Sequence, residues 1–303
     1  MGAAYQLERA EGMVETQAPK IRRLLAPNPS AMTHTGTNTY LLGLRDIAVI
    51  DPGPDDDAHF AAIASAIAPN QKITKILVTH AHLDHAPLAR RLSAHCGAPV
   101  YAYGDSRAGR SPQMIALSEA GTIGGGEGVD HGFQPDITLE DRAVLDHEGQ
   151  ELVALWTPGH FGNHMAFCWS EALFSGDHVM GWASTMISPP DGDLGAFRRS
   201  CTQLQERSEK LYLPGHGDAI EDGPARLHWL LAHRQEREKQ IISQLQGQPN
   251  TAQGLAEAIY TDIDPRLIHA ATRNVLAHLI DLCERKRATC HGPIDLQAKY
   301  SVI

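Results

Sequence analysis

Residues 73–79 (ITKILVT) form an apolar, β-branched run that passes without a break into His80-Ala81-His82-Leu83-Asp84-His85. The run has the length and composition of a buried strand. Three imidazoles and a carboxylate set at the end of such a strand would be costly to bury unless a cation compensates them. A lone buried histidine is more often structural than a ligand. Three histidines and an aspartate within six residues, in a loop rather than along a strand, point instead to a metal site. Imidazole nitrogen and carboxylate oxygen suit zinc, and also iron or manganese. Any fold open to this chain must bring other ligands to the edge where this strand ends.

Three further clusters have the same form, each directly after an apolar run and beside glycine. They are Thr157-Pro158-Gly159-His160, Ser175-Gly176-Asp177-His178 and Leu213-Pro214-Gly215-His216-Gly217. The glycine lets the backbone turn sharply, so the next side chain points across the strand ends. Between these clusters the chain alternates strand and helix signals. Residues 39–51 read as a hairpin that ends in the turn Asp51-Pro52-Gly53-Pro54, and residues 57–68 read as a helix with Phe60, Ile63, Ala64 and Ile67 on one face. A helix is expected from Pro87 to His95 and a strand from Pro99 to Tyr103. Residues 104–135 are hard to read; Gly124-Gly125-Gly126 lacks the Lys-Ser/Thr ending of a phosphate loop. Strand-like runs return at 137–145, 151–156, 165–169 and 172–175, then a helix at 194–209 and a short strand at 211–213. Strand-helix-strand units on both sides of the glycine loop suggest two α/β layers packed sheet against sheet.

Taken together, these residues resemble the metallo-β-lactamase superfamily. Its H-x-H-x-D-H box is here His80, His82, Asp84 and His85, and the later single ligands fall at His160, Asp177 and His216. Thr35-Gly36-Thr37-Asn38-Thr39-Tyr40-Leu41 and a C-terminal appendage resemble the β-lactamase-like-protein-2 group within it. The resemblance implies an α/β fold, an αββα sandwich with a dinuclear site at one sheet edge. It assigns His80, His82 and His160 to one metal, Asp84, His85 and His216 to the other, and Asp177 to both. Two divalent ions, zinc in the first place and iron or manganese as alternatives, would lower the pKa of a bridging water to about 7. That hydroxide would attack a carbonyl or phosphoryl group, with Asp84 passing a proton toward the leaving group. His164, four residues past His160, is read as a catalytic residue that either supports the ligands or contacts substrate. His178 is expected to pack behind Asp177, and His34, Asn38 and Tyr40 to lie where they could orient ligands. Met180, Trp182, Met186 and Ile187 are candidates for an apolar mouth, with packing into the core as the alternative. The family name does not carry antibiotic hydrolysis here, because lactamases nearest that name generally lack an aspartate at the position of Asp177 and carry signal peptides.

After residue 224 the texture changes. Residues 225–245, 251–260 and 265–285 read as three helices, and 288–290 with 300–303 as a hairpin, the order of a winged helix. The expected domains are therefore a catalytic domain of residues 1–224 and a winged-helix-like domain of residues 225–303. Net charge is −10, yet residues 221–303 hold ten basic and ten acidic side chains, so the acidic excess lies in the catalytic part. An acidic body repels polyphosphate at long range, which favours a small ester, thioester or lactone as substrate. The alternative, from the closest group, is a single-strand-specific endoribonuclease with RNA held by the appendage, and Arg285-Lys286-Arg287 is its one basic triplet. A third reading is a non-enzymatic metal-bound scaffold. The C-terminal helices could also support a homodimer. Five cysteines without a CxxC pair indicate reduced thiols rather than a disulfide framework or zinc ribbon. No apolar run approaches the roughly 18 residues of a membrane span, and Met1 to Lys20 lacks the pattern of a signal peptide. The expected location is the cytoplasm.

Overall fold

The computed structural model describes residues 15–18 and 20–303; of the Met1–Lys20 stretch read above, residues 1–14 and 19 lie outside the described residues. The chain first lays down strands β1 (Glu15–Ala18), β2 (Ile21–Leu25), β3 (Asn38–Leu42) and β4 (Asp46–Ile50), all paired antiparallel. Helix α1 (Asp57–Ser65) returns it to β5 (Lys72–Leu77), α2 (Leu88–Cys96) to β6 (Val100–Ala102), and a segment holding α3 (Pro112–Ala120) to β7 (Ile137–Thr138). These crossovers make β4 to β7 parallel, so the sheet runs in order from β1 to β7. A second sheet holds β8 (Val144–His147), β9 (Gln150–Trp156), β10 (Met165–Trp169) and β11 (Ala172–Gly176) as a meander. After α4 (Leu194–Gln205), β12 (Leu211–Pro214) joins β11 in parallel.

Strand side chains alternate between faces, and here both faces are covered. Tyr40, Leu42, Ala48 and Ile50 of the first sheet meet Met165, Phe167, Trp169 and Phe174 of the second in one apolar cluster. The opposite faces take the intervening residues. Leu41, Ile47, Val49 and Ile76 pack on Ile63 of α1 and on Leu88, Ala89 and Leu92 of α2. Ala166, Cys168 and Leu173 pack on Phe197, Cys201 and Leu204 of α4. The result is the expected αββα sandwich. Because β4, β5, β9, β11 and β12 all lead into loops at one edge, the residues that follow them share that edge.

The C-terminal part comprises α5 (Gly223–Leu245), β13 (Asn250–Thr251), α6 (Ala252–Ile259), α7 (Ile268–Glu284), β14 (Ala288–His291) and β15 (Lys299–Val302). Its strands form a small sheet in the order β13-β15-β14. The helix expected over 265–285 is broken, since Asp264 caps a short 3-10 turn, Pro265–Leu267, before α7 begins. The expected division after residue 224 falls at the start of α5. However, the apolar cluster of this part also takes in Met114 and Leu117 of α3 and Ile123. The Thr122 hydroxyl donates to the carbonyl of Ile294 as well. Among the described residues no helix is long and apolar enough to cross a membrane.

His59 on α1 lies behind β3, with Nε2 2.8 Å from Thr39 Oγ1. The Thr39 hydroxyl itself donates to the carbonyl of Asp51 at 2.6 Å, so His59 donates. Burial pushes its pKa down to about 4, against 6.5 in an unfolded chain. Below pH 6.5 the unfolded chain therefore binds a proton that the folded chain refuses, and stability falls until about pH 4. The steepest slope is about 1.4 kcal/mol per pH unit. In metal-free protein, the unfolding free energy of wild type minus that of His59→Gln is expected to be flat above pH 6.5 and to fall between 6.5 and 4. A difference that ignores pH would mean that His59 titrates normally.

Candidate metal centre

β5 ends at Leu77, and Val78 and Thr79 carry the chain, still buried, to His80. The turn that follows is held from two sides. The Leu83 amide donates to the carbonyl of Gly128 at 2.7 Å and that of Asp130 to Ala81 at 2.9 Å, which gives the glycine-rich loop a structural task. From the other side the Gly53 amide donates to the carbonyl of His85. His160 sits in the β9–β10 connection, after Gly159 at φ +151°. Asp177 follows β11 and His216 follows β12, and the parallel pairing of Gly176 with Pro214 sets them side by side.

Among the described residues, donor atoms gather into three overlapping sets: His80, His82 and His160; His80, His85 and Asp177; and Asp84, His85 and His216. Within each set they lie inside 4.8 Å of one another. His82 Nδ1 is 2.8 Å from His80 Nε2 and 3.2 Å from His160 Nε2. His85 Nε2 and His216 Nε2 face each other at 3.2 Å. Asp84 Oδ2 is 3.2 Å from His216 Nε2. Asp177 lies between the groups, with Oδ1 3.5 Å from His85 Nε2 and Oδ2 3.3 Å from His216 Nε2 and 3.8 Å from His160 Nε2.

The outer nitrogens decide which ring atoms are left to face inward. His160 Nδ1 donates to the carbonyl of Met186 at 2.8 Å, and His216 Nδ1 to that of Gly36 at 3.1 Å. His85 Nδ1 donates to Asp51 Oδ2 at 2.9 Å. His80 Nδ1 lies 3.0 Å from Thr79 Oγ1, whose proton is committed to Asp51 Oδ2 at 2.8 Å, so the imidazole donates again. With the Nδ1 atoms so engaged, four Nε2 atoms point at one another as the atoms left to ligate, and the neutral form of each ring is the tautomer a metal needs. One proton placed among His80, His82 and His160 satisfies only one of their contacts. The buried Asp177 Oδ1 has no hydrogen-bond partner. Beside it, a Cβ on Gly215 would come within 2.4 Å of that oxygen and 2.7 Å of His85 Cε1, so only glycine fits there. The donor set fits divalent cations.

The charge balance agrees. Burial, and then the neighbouring imidazoles, holds His80 well below its usual pKa, and burial with His160 pushes His82 down to about 3. Both are neutral, as ligands must be. Burial also opposes charge on His85 and His216, but Asp84, Asp177 and Asp51 outweigh it at His85, and Asp177 and Asp84 raise His216 to about 9. Asp84 and Asp177 stay ionised despite burial because these two imidazoles face them. In the metal-free chain two protons therefore offset the carboxylates, and cations would displace them.

The structure brings His80, His82, Asp84, His85, His160, Asp177 and His216 together. His164 differs from the substrate-contacting alternative: it is fully buried behind Asp177. Its Nδ1 is bound to Thr157 Oγ1 at 2.8 Å, and its Nε2 accepts from the Asp177 amide at 3.2 Å. It positions Asp177 and cannot reach a substrate. His178 packs on Phe197, as expected. Asn38 Nδ2 donates to the carbonyls of Pro214 and Gly217, and the Tyr40 hydroxyl donates to Pro214, so both brace the turn that carries His216. Of the expected mouth residues, Met180 and Ile187 are buried. Trp182 is 37% exposed, stacks on His34 and lies against Gly217. Sequence reasoning missed Asp51, which it took as turn chemistry. Asp51 is only 2% exposed and accepts from the Thr79 amide, the Thr79 hydroxyl and His85. Only the fold reveals it: the parallel pairing of Ile50 with Leu77 ends two neighbouring strands in polar residues at one edge.

Comparison with known proteins agrees with this geometry. Residues 32–216 match the family described as "Metallo-beta-lactamase superfamily", and residues 251–293 match the "Beta-lactamase associated winged helix domain". The chain is 30% identical over 274 residues to a "Beta-lactamase-like protein 2 homolog" of Drosophila melanogaster, covering 86% of each. It is 32% identical over 236 residues to an "Atrochrysone carboxyl ACP thioesterase" of Aspergillus chevalieri, covering 77% of this chain and 68% of that one. The crystal structure of a metallo-beta-lactamase family protein from Thermus thermophilus superposes with a TM-score of 0.75 at 26% identity, over 95% of this chain and all of that one.

Proposed function

This chain belongs to the metallo-β-lactamase superfamily of hydrolases, and from that premise we propose that it uses two divalent metal ions to hydrolyse a small thioester, ester or lactone. The observation that carries the reading is the set of inward-facing Nε2 atoms around the Asp177 carboxylate, whose buried Oδ1 has no hydrogen-bond partner. His80, His82 and His160 would hold one ion and Asp84, His85 and His216 the other, with Asp177 spanning both. Bound ions of this kind supply Lewis acidity and a water that is hydroxide at neutral pH. Asp84 is 26% exposed on its side chain, against 10% for His160 and 8% for Asp177, so its carboxylate can carry a proton between the centre and a leaving group. Leu83, 52% exposed beside it, and Trp182, against the turn after His216, offer apolar contact to an acyl chain. Among small carbonyl substrates we favour a thioester, following the activity for which the Aspergillus chevalieri relative is named. Zinc suits the donor set first.

The endoribonuclease alternative draws little support. Arg285 pairs with Glu238 at 2.6 Å and with Asp281 at 2.7 Å, and Arg287 pairs with Glu238 at 2.5 Å. Two members of the basic triplet are thus spent on α5 and α7. A winged helix that reads nucleic acid must also offer its last helix to a groove. Here α7 is buried along most of its length, from Ala271 to Leu282 apart from Asn274. In metal-replete protein we expect chelator-sensitive hydrolysis of an aryl or N-acetylcysteamine thioester and no cleavage of labelled single-stranded RNA. RNA cleavage without thioester hydrolysis would reverse the assignment.

A further inference from the structure

The connection from Val179 to Asp193 has no regular secondary structure, yet the carbonyl of Met186 within it holds His160 Nδ1. The other outer partners sit on or beside the sheets: Thr79 and Asp51 at the ends of β5 and β4, and Gly36 just before β3. Of these four histidines, only His160 depends on a long irregular loop. That loop is held in place from the C-terminal helices. On α5, Arg226 donates to the carbonyls of Met180 and Ala183, each at 2.7 Å, and Arg234 to the carbonyl of Thr185. On α7, Arg273 donates to Ser188 Oγ at 2.8 Å and to the carbonyls of Pro189 and Ile123. Asn274 Oδ1 accepts from the Ile187 amide at 3.1 Å and from Arg234 at 3.2 Å.

Arg234 and Arg273 are each only 2% exposed, and among the described residues neither has a carboxylate within ion-pair distance. Their charge is spent on backbone carbonyls. The planar guanidinium suits this, because its N–H groups fan out in fixed directions to several acceptors at once. A lysine would supply the charge without the fan. The hydrogen bonds on both sides of residue 186 leave its carbonyl free to face His160.

We infer that Arg234, Arg273 and Asn274 are positioning residues for the His80–His82–His160 half of the metal centre, so that the C-terminal unit sets the affinity of one metal position. The inference rests on the metal-centre reading above, and it separates the two halves. The outer partners of the His85–His216 half, Asp51 and Gly36, lie outside this loop. The loop meets that half at Trp182, against Gly217 and His34, and Trp182 precedes the stretch 185–189 that Arg234, Arg273 and Asn274 hold. Loosening the loop should weaken one position and spare the other.

The test is titration of metal-free full-length protein with Co(II), followed by its visible absorption and by chelator competition. Wild type is expected to bind two ions. Asn274→Ala and Arg273→Lys are expected to bind one ion as wild type does and the other roughly 10–100-fold more weakly, with unchanged circular dichroism. Asn274→Asp, which keeps the acceptor oxygen, should restore the second ion. In a His160→Ala background, Asn274→Ala should add nothing further. Two ions with unchanged affinity in both variants, or an equal loss at both positions, would overturn the inference and leave the metal-centre reading standing. No Co(II) binding by wild type would end both.

Discussion

Asp177→Ala is expected to lower kcat/KM for the hydrolysed substrate on the order of a thousandfold, or roughly 4 kcal/mol of transition-state stabilisation, and to leave fewer than two ions bound per chain. Asp177 lies within 4 Å of donors from both halves, through His85, His160 and His216. Without it, the two imidazole groups lose the negative charge that stands between them, and each would hold a cation with one carboxylate fewer. Asp177→Asn should be nearly as damaging, because it keeps the volume and removes the charge. Metal analysis and steady-state kinetics on the same preparations decide the matter. Full activity in metal-replete Asp177→Ala would refute metal-centred hydrolysis.

The second large effect concerns stability. Gly159→Ala is expected to cost roughly 3–5 kcal/mol, the combined scale of a glycine-only backbone conformation and core overpacking. Gly159 sits at φ +151°, and a Cβ there would lie 2.4 Å from Cα and 2.6 Å from Cβ of Phe197. Phe197 is fully buried on α4, and the obstacle is partly backbone, so neither side can yield cheaply. Gly97→Ala is the control, since Gly97 has φ +76° with open space around it. It carries a left-handed backbone penalty, roughly 1–2 kcal/mol, with no clash. Urea unfolding of both variants separates clash from conformation, and equal losses would show that α4 moves aside.

These two positions also mark what could be read from the sequence. The metal-binding candidates were legible because each ligand type stands in a short local pattern after an apolar strand, and Pro-Gly-His needs no distant partner to be noticed. The partners of those ligands were mostly not legible. Asp51 reaches His85 across 34 positions, and it looked like the first residue of a turn. The Met186 carbonyl carries no side-chain signature at all, since any residue offers the same oxygen. Strand β2 escaped notice because Arg22 and Arg23 occupy its middle, and only Ile21 and Leu24 in it are buried. For the loop of residues 179–193, composition leaves open whether its apolar side chains face the site or the core. Met180 and Ile187 take the core, because helices not adjacent in sequence fix the loop's backbone. His164 belongs to the same class: spacing suggests chemistry, while burial makes it a brace.

The helix Pro112–Ala120 has a consequence for how the chain is made. Met114 and Leu117 find their apolar cover on segments that begin at Ile241 and end at Tyr300, more than 120 residues later. A polypeptide leaving the ribosome presents its segments in order, and this helix must wait, its apolar side bare, for almost the entire remainder of the chain. The metal-binding half therefore completes its packing only when the C-terminal segments arrive. Its last packing step comes with the final strands, and a nascent chain stalled before them would be a natural client for chaperones.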